Sequence, residues 1–369
     1  MKQNNLKIAI VHDWLVTDAG AEKVLKAILQ IYKDADIYSL VDFLSDEDRN
    51  EIVANRNIKT SFIQNMPFAK THFRNYLPLF PKAIQSFDLK EYDLIISSSW
   101  AVAKGVKKHK NQIHISYCYT PIRYAWDLYD EYTSKLKQPK KFIVQKSLEY
   151  IRKFDLATLN SVDYFIADSK FVANRIKKTY NRDSIVIYPP VDVNSFTLCE
   201  KKEDFYITTS RLVPYKKTKL IVEAFNEMPE KILVIIGDGE EYKSISKIKK
   251  NNVKLLGYQD KQVLISCMQR AKAFVYAAIE DFGIVPIEAQ ACGTPVIALG
   301  IGGTAETVED EVNGIHFKNQ TKEDIIKSVK RFENLSFDYL KISQNTNSYS
   351  TQRFKKEIKE FIESKLELK

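Results

Sequence analysis

An α/β protein built from two doubly wound parallel sheets is predicted from three observations. Short apolar runs alternate with longer amphipathic ones along the chain. Its 369 residues exceed what one hydrophobic core fills. A double proline, Pro189-Pro190, followed by a polar stretch divides the alternation into two series of similar size.

In the first series, KIAIVHD (7–13) reads as a buried parallel strand and AEKVLKAILQIY (21–32) as the helix after it. DIYSLV (36–41), YDLIISSS (92–99), QIHISYCY (112–119), VDYFIADS (162–169) and DSIVIYPPVD (183–192) are further strands, with KFVANRIKKTY (170–180) as a helix between the last two. In the second series the strands are DFYITTSRL (204–212), KILVIIGDG (231–239), VKLLGY (253–258), AFVYAAI (273–279), TPVIALG (294–300) and GIHFKN (314–319). KLIVEAFNEM (219–228) is a helix among them, and residues 321–369 read as helical. The expected organisation is a Rossmann-like domain at 1–190, a linker at 191–203 and a second Rossmann-like domain at 204–350, the two facing a cleft. The last segment, 351–369, is either a simple surface helix or one that crosses back and braces the two domains.

Composition is that of an ordinary globular protein, 44% apolar and 28% charged. No apolar run approaches the roughly 18 residues of a membrane span, and the start of the chain has too short an apolar core for a signal peptide. The four cysteines, Cys118, Cys199, Cys267 and Cys292, lack metal-binding spacing and are expected to be reduced in a cytoplasmic protein. The net charge of +9 is uneven: residues 1–190 hold 29 Lys and Arg against 21 Asp and Glu, and the rest 27 against 26. The excess serves either solubility alone or an anionic partner for the first half, a membrane with acidic lipids or a pyrophosphate-bearing lipid; no nucleic-acid motif is present.

Five of the 11 glycines fall in EDFGIVPIEAQACGTPVIALGIGGTAET (280–307). Strand AFVYAAI runs out at Glu280, and ligands of open α/β sheets sit at the carboxyl ends of strands. Gly283 permits close backbone approach, and Pro286 suits the first turn of a helix beginning near Ile284, whose free N–H groups form an anion site. Glu288, one turn in, would repel phosphate. Its natural partners are sugar hydroxyls, for which an ionised carboxylate is an acceptor. Gly302 and Gly303 in the next turn are expected to present backbone to a phosphate. Upstream, SRLVPYKKTK (210–219) sets Arg211 at a strand end with Lys216 and Lys217 before a helix, cations suited to a leaving diphosphate. Singly, each of these features is also what a solvated loop or a plain turn would show.

Together, SRLVPYKKTKLIVEAF, EDFGIVPIEAQACGTPVIA and GGTAETV resemble the retaining glycosyltransferases of family 4, which have the GT-B fold. VHDWLVTDAGAEKVL, SSSWAVAKGV, YCYTPIRYAWDLYDEY and ADSKFVANRI resemble the bacterial branch that includes O-antigen mannosyltransferases, so the similarity covers nearly the whole chain. The resemblance implies that Arg211 and Lys216 neutralise the donor diphosphate and that Glu280 binds hydroxyls of the donor sugar. Phe282, Gly283 and Ile284 would help through their backbone, and Glu288 would bind the nucleotide ribose. Asp281, Val285, Lys217, Gly237, Gly302 and Gly303 would complete donor binding. Gly20 with Ala19, Tyr119, Thr120, Arg123 and Trp100 would line the first domain's side of the cleft. Two departures stand out. The branch has Gly-Gly-Ala-Glu where this chain has Ala19-Gly20-Ala21-Glu22. It also has His where Tyr119 and Trp100 stand, and Tyr cannot carry a proton near neutral pH as His can.

No Asp or Glu is an obvious covalent nucleophile, so front-side attack is expected, with the leaving diphosphate as base. Asp34-Ala35-Asp36 imitates a D-x-D metal motif but reads as a turn and strand start; no metal or other cofactor is expected, and GxGxxG is absent. The stretch 66–87, with aromatics, basic residues and prolines, is either first-domain structure or a membrane- or acceptor-facing surface. The expected function is transfer of a hexose, with mannose from GDP-mannose the first choice, to a lipid-linked or oligosaccharide acceptor at the inner face of the cytoplasmic membrane. Another UDP- or GDP-linked donor, a sugar-nucleotide 2-epimerase, and a nucleotide-sugar-binding protein with weakened catalysis are the alternatives.

Overall fold

The computed structural model describes residues 6–134 and 136–367, with the side chains of residues 131 and 132 excepted. The first five residues of the expected 1–190 domain and the last two of the 351–369 helix lie outside the described residues. The chain forms two compact units, one of Met1–Tyr188 with Phe354–Lys369 and one of Pro189–Arg353.

The first unit holds seven parallel strands: β1 (Ile8–His12), β2 (Asp36–Ser39), β3 (Ile58–Thr60), β4 (Leu94–Ser99), β5 (Ile113–Cys118), β6 (Tyr164–Ala167) and β7 (Ser184–Val186). Their order is β3-β2-β1-β4-β5-β6-β7, so the winding reverses between β1 and β4. Central strands are buried on both faces, as parallel sheets require. Ile8 and Ile10 of β1 enter one core and Ala9 and Val11 the opposite one. The C-terminal helix Thr351–Leu366 lays Phe354, Ile358 and Ile362, one turn apart each, into the first of these cores, where Phe354 meets the Tyr117 ring at 5.9 Å. From Phe354 onward this helix thus belongs to the first unit.

The second unit holds β8 (Tyr206–Thr209), β9 (Leu233–Ile236), β10 (Val253–Gly257), β11 (Ala273–Tyr276), β12 (Val296–Leu299) and β13 (Gly314–Phe317) in the order β10-β9-β8-β11-β12-β13, again all parallel. Its winding reverses between β8 and β11. Leu233 and Ile235 pack on one face, Val234 and Ile236 on the other. Residues 191–203, expected as a linker, lie within this unit. Val191 and Phe196 are buried, and Asp192 pairs with Lys261 at 3.1 Å. β3 leaves no legible pattern in the sequence. Only Ile58 of its three residues is buried, too short a pattern to register.

Glu333 ties β8 to its surroundings. It accepts from the Tyr206 hydroxyl, from Lys272 Nζ at 2.8 Å, and pairs with Lys231 Nζ at 3.1 Å. Burial alone would raise its carboxyl, but these donors hold it down at about 2. A folded value below the unfolded one means stability present above about pH 4 and lost as pH falls through about 2. Glu333→Gln is therefore expected to cost about 2–3 kcal/mol at pH 7. In denaturant titrations across pH, the gap to the parent should close between about pH 4 and pH 2.

Candidate functional site

In the second unit the loops after β8 and β11 emerge side by side, at the point where the winding reverses. That is where open α/β sheets bind ligands. The loop after β8 makes a short 3-10 turn, Pro214–Lys216, and Lys217 adopts a left-handed backbone (φ 58°) before the Thr218–Phe225 helix. This turn aims Lys216 at the partner loop. Its Nζ lies 2.6 Å from Glu280 Oε1 and 3.3 Å from the Tyr276 hydroxyl. Burial, with the Glu280 charge beside it, pushes the Tyr276 phenol well above its ordinary range, so it keeps its proton. Arg211 is exposed, with Nη2 donating to the Tyr215 hydroxyl at 3.1 Å. Arg211, Lys216 and Glu280 thus stand on the two loops of the switch point.

Gly283 (φ 89°) caps the helix Ile284–Ala291, which opens directly after Glu280, Asp281 and Phe282. Only a residue tolerant of positive φ turns the chain this sharply from loop to helix. Ile284, Val285 and Pro286 form its first turn, whose N–H groups have no partner within the helix. Glu288 sits in the second turn, at 6% exposure. Phe282 packs its ring 5.8 Å from Tyr349.

The glycines after β12 act differently from expectation. The Gly303 N–H, expected at a phosphate, is donated to the Glu280 carbonyl at 2.9 Å. A Cβ on Gly303 would stand 1.9 Å from the Phe282 carbonyl oxygen, and one on Gly302 2.4 Å from that of Glu280. The pair therefore brings the turn 300–303 against 280–282 and fixes the backbone that carries Glu280. Gly237 is likewise a close-approach glycine, its N–H given to the Gly257 carbonyl at 2.8 Å.

In the first unit the corresponding switch point lies between β1 and β4. Here the structure assembles residues that the sequence reading singled out with others it missed. Asp13, fully buried one residue past β1, accepts four backbone N–H groups. Those of Trp100 and Ala101 reach Oδ2 at 2.6 and 2.8 Å, and those of Val102 and Ala103 reach Oδ1 at 2.7 Å each. Burial pushes its carboxyl up, against the downward pull of these donors. Trp100, so held, places its ring edge-on to His12 at 5.0 Å and to Tyr119 at 5.7 Å. The Tyr119 hydroxyl bonds Ser98 Oγ at 2.9 Å and donates to the Ala21 carbonyl at 3.0 Å. Burial lifts this phenol well above its usual range. Ala19 gives its N–H to Glu22 Oε2 at 3.1 Å, and Gly20 opens the Gly20–Ile31 helix. Thr120 accepts from Arg175 Nη1 at 2.6 Å, while Arg123 lends its carbonyl to the Trp126 and Leu128 amides. His12, Asp13, Glu22 and Ser98 were missed. The signal was the polar pair His12-Asp13 closing an otherwise apolar strand.

Asp36 of the D-x-D imitation opens β2 and bonds the Tyr92 hydroxyl at 2.5 Å and Lys59 Nζ at 3.3 Å. It is part of a surface polar cluster.

Residues 194–361, most of the second unit, match the family model described as glycosyl transferases group 1. An uncharacterized glycosyltransferase of Methanocaldococcus jannaschii is 31% identical over 200 residues, which are 52% of this chain and 56% of that protein. A GDP-mannose-dependent monoacylated alpha-(1-6)-phosphatidylinositol monomannoside mannosyltransferase of Corynebacterium glutamicum is 32% identical over 178 residues, 40% of this chain and 47% of that protein. The chain spans about half the length of these relatives. Among solved structures, Anabaena HepE in complex with UDP and glucose superposes over 98% of this chain and all of its own, with a TM-score of 0.70 at 20% identity. The architecture is that of the GT-B fold.

Proposed function

We propose that the protein is a retaining hexosyltransferase that uses a nucleotide sugar. The observation that carries this is the Lys216–Glu280 pair at the switch point of the second sheet, followed at once by a helix start and a buried Glu288. Cations, backbone donors and carboxylates stand together there, the set a sugar diphosphate needs. The group 1 family model supports the class, and a relative described as GDP-mannose-dependent supports mannose from GDP-mannose as first choice. The acceptor hydroxyl attacks the anomeric carbon on the face from which the diphosphate leaves. The sugar–phosphate C–O bond breaks, the new C–O bond forms, and the hydroxyl proton passes to a phosphate oxygen. Arg211 and Lys216 offset the departing charge, Glu280 holds sugar hydroxyls and Glu288 the ribose. No metal is assigned a role, so full activity in excess chelator is expected.

The test is incubation with a panel of nucleotide sugars and polysaccharide or polyprenyl-linked acceptors. Release of nucleoside diphosphate with an α-linked product from an α-linked donor is expected. A β product would refute the retaining route, and conversion of the donor to its epimer without transfer would refute the class.

The proposed acceptor is lipid-linked or a polysaccharide, in cell-surface glycan synthesis, and the proposed location is the cytoplasmic face of the membrane. Among the described residues no helix is long and apolar enough to cross a bilayer. The stretch 66–87, weighed as a membrane-facing surface, turns most of its aromatics inward, with Phe73 and Phe80 buried beside Trp14. Phe68 projects at 80% exposure. The helix Lys140–Ala157 supports the membrane reading better. Phe142 (56% exposed), Ile143 (61%) and Tyr150 share its outer face with Lys146 and Lys153, opposite buried Leu148 and Ile151. Apolar side chains among lysines suit an anionic interface. Retention on vesicles rich in anionic lipid is expected at low salt and should fall at least about tenfold in Phe142→Ser/Ile143→Ser. Equal retention of both proteins, or none of the parent, would remove this partner.

A further inference from the structure

A line of hydrogen bonds in the first unit has a direction that can be worked out atom by atom. It ends at the Ala21 carbonyl, which can only accept, so the Tyr119 O–H donates there. Tyr119 has no second proton. The Ser98 O–H must therefore donate to Tyr119 Oη, at 2.9 Å. Ser98 has then spent its proton, so the bond between Ser98 Oγ and His12 Nδ1, also 2.9 Å, is donated by His12. The imidazole thus carries a proton on Nδ1.

That assignment leaves His12 Nε2. The ring is fully buried, Nε2 has no hydrogen-bond partner among the described residues, and Glu22 Oε1 lies 3.5 Å from it. In a neutral ring Nε2 would turn a lone pair toward a carboxylate, two acceptors facing each other in a buried site, which is costly. A proton on Nε2 turns that repulsion into an ion pair. Glu22 is itself buried, so its charge also needs a partner. Asp13, adjacent on the chain, adds negative charge acting on the same ring.

We propose that His12 is held as an imidazolium against Glu22, and that this pair, acting through Ser98 and Tyr119, is the positioning device that clamps the Ala19–Glu22 turn. The turn is gripped twice: Glu22 Oε2 holds the Ala19 N–H, and Tyr119 holds the Ala21 carbonyl. Tyr119, one departure from the family pattern named above, thus bonds the turn that carries another, Ala19, at the Ala21 carbonyl two residues on. Tyr119 is a strut for the turn. Its hydroxyl is committed within the first unit. Any consequence for sugar transfer rests on the function proposed above; the protonation state and the clamp do not.

The test uses the full chain, deuterated and 15N-labelled, at neutral pH, with the His12 ring signals assigned through their contact with the Trp100 ring. Both His12 ring nitrogens are expected to be protonated. In Glu22→Gln the side-chain amide can donate to Nε2, so Nε2 is expected to become unprotonated while Nδ1 keeps its proton. An unprotonated Nε2 in the parent, a proton on Nε2 alone, or an unchanged imidazolium in Glu22→Gln would each overturn the pair. Tyr119→Phe keeps the ring and removes the strut. Amide exchange at Gly20–Lys23 should quicken roughly tenfold, the loss of one buried hydrogen bond, with exchange in β4 and β5 unchanged. Unaltered exchange at the turn overturns the clamp. If Tyr119→Phe loosens the turn but leaves nucleotide-sugar turnover intact, the clamp stands and only its link to transfer falls.

Discussion

Lys216→Ala is expected to lower kcat/KM for the nucleotide-sugar donor by about 10²–10³-fold, or about 3–4 kcal/mol of transition-state stabilisation. Two effects add. Under the proposed function the cation that would offset the leaving diphosphate is gone, and Glu280 loses the ammonium 2.6 Å away that balances it. The orphaned carboxylate, in a site only about one fifth exposed, then repels the incoming phosphates. Glu280→Gln removes the sugar-hydroxyl acceptor but leaves Lys216 its charge, so its loss should fall on kcat more than on KM. Because the two side chains touch, the double variant Lys216→Ala/Glu280→Gln should be less impaired than the product of the single losses. Initial-rate kinetics on the four proteins decides this. Strictly multiplicative losses would mean that the two groups act separately and that the ion pair is incidental to turnover. Thermal unfolding serves as the control, since the pair lies on loops beyond the strand ends and its removal should move the midpoint by only a few degrees.

The features that could be read from sequence are those set by local pattern. β1 and β12 are short, almost wholly apolar runs buried along their length, and runs of that kind announce themselves. The helix opening at Ile284 was legible because Gly283 and Pro286 each have a backbone preference that points the same way. What could not be read depends on partners distant in sequence. Lys216 and Glu280 are 64 positions apart, and only the rule that ligands gather at strand ends suggested they would share a site. The polar composition of 191–203 suggested a linker because nothing local shows Asp192 reaching Lys261, 69 positions on. The aromatics of 66–87 carry no mark of which way they face, and Phe73 and Phe80 face inward onto Trp14 and Phe87 onto Tyr38, while Phe68 projects outward. The close approach made by Gly302 and Gly303 was not legible for a related reason. A glycine pair in a strand-to-helix turn suits a phosphate or a crossing backbone equally well, and here the crossing backbone of residues 280–282 has taken it.

Asp13→Ala is expected to destabilise the first unit by more than about 4 kcal/mol, since four backbone N–H groups lose their acceptor together and each buried orphan costs about 1–3 kcal/mol. Losses that large are confined to a few mechanisms, and removal of a multiply bonded buried group is one of them. For a unit of this size the unfolding midpoint should drop on the order of 10 °C. Asp13→Asn is a sharper probe. It is nearly isosteric, so packing is kept. Its oxygen can still serve two of the four donors, but its NH₂ would face the other two, donor against donor. An intermediate loss is therefore expected, read as the order parent, Asn, Ala in the unfolding midpoint. If Asn matched the parent, the charge and second oxygen of Asp13 would be dispensable and the loop would be held by its own packing. The consequence reaches the cluster at the first sheet's switch point, because the loop that Asp13 gathers begins at Trp100, whose ring lies against both His12 and Tyr119. Releasing Trp100–Ala103 should therefore weaken order around Tyr119 as well. Faster amide exchange in β5 near Cys118 and Tyr119 in Asp13→Asn, with the second unit's amides unaffected, would tie the strand-end aspartate to the positioning of that cluster.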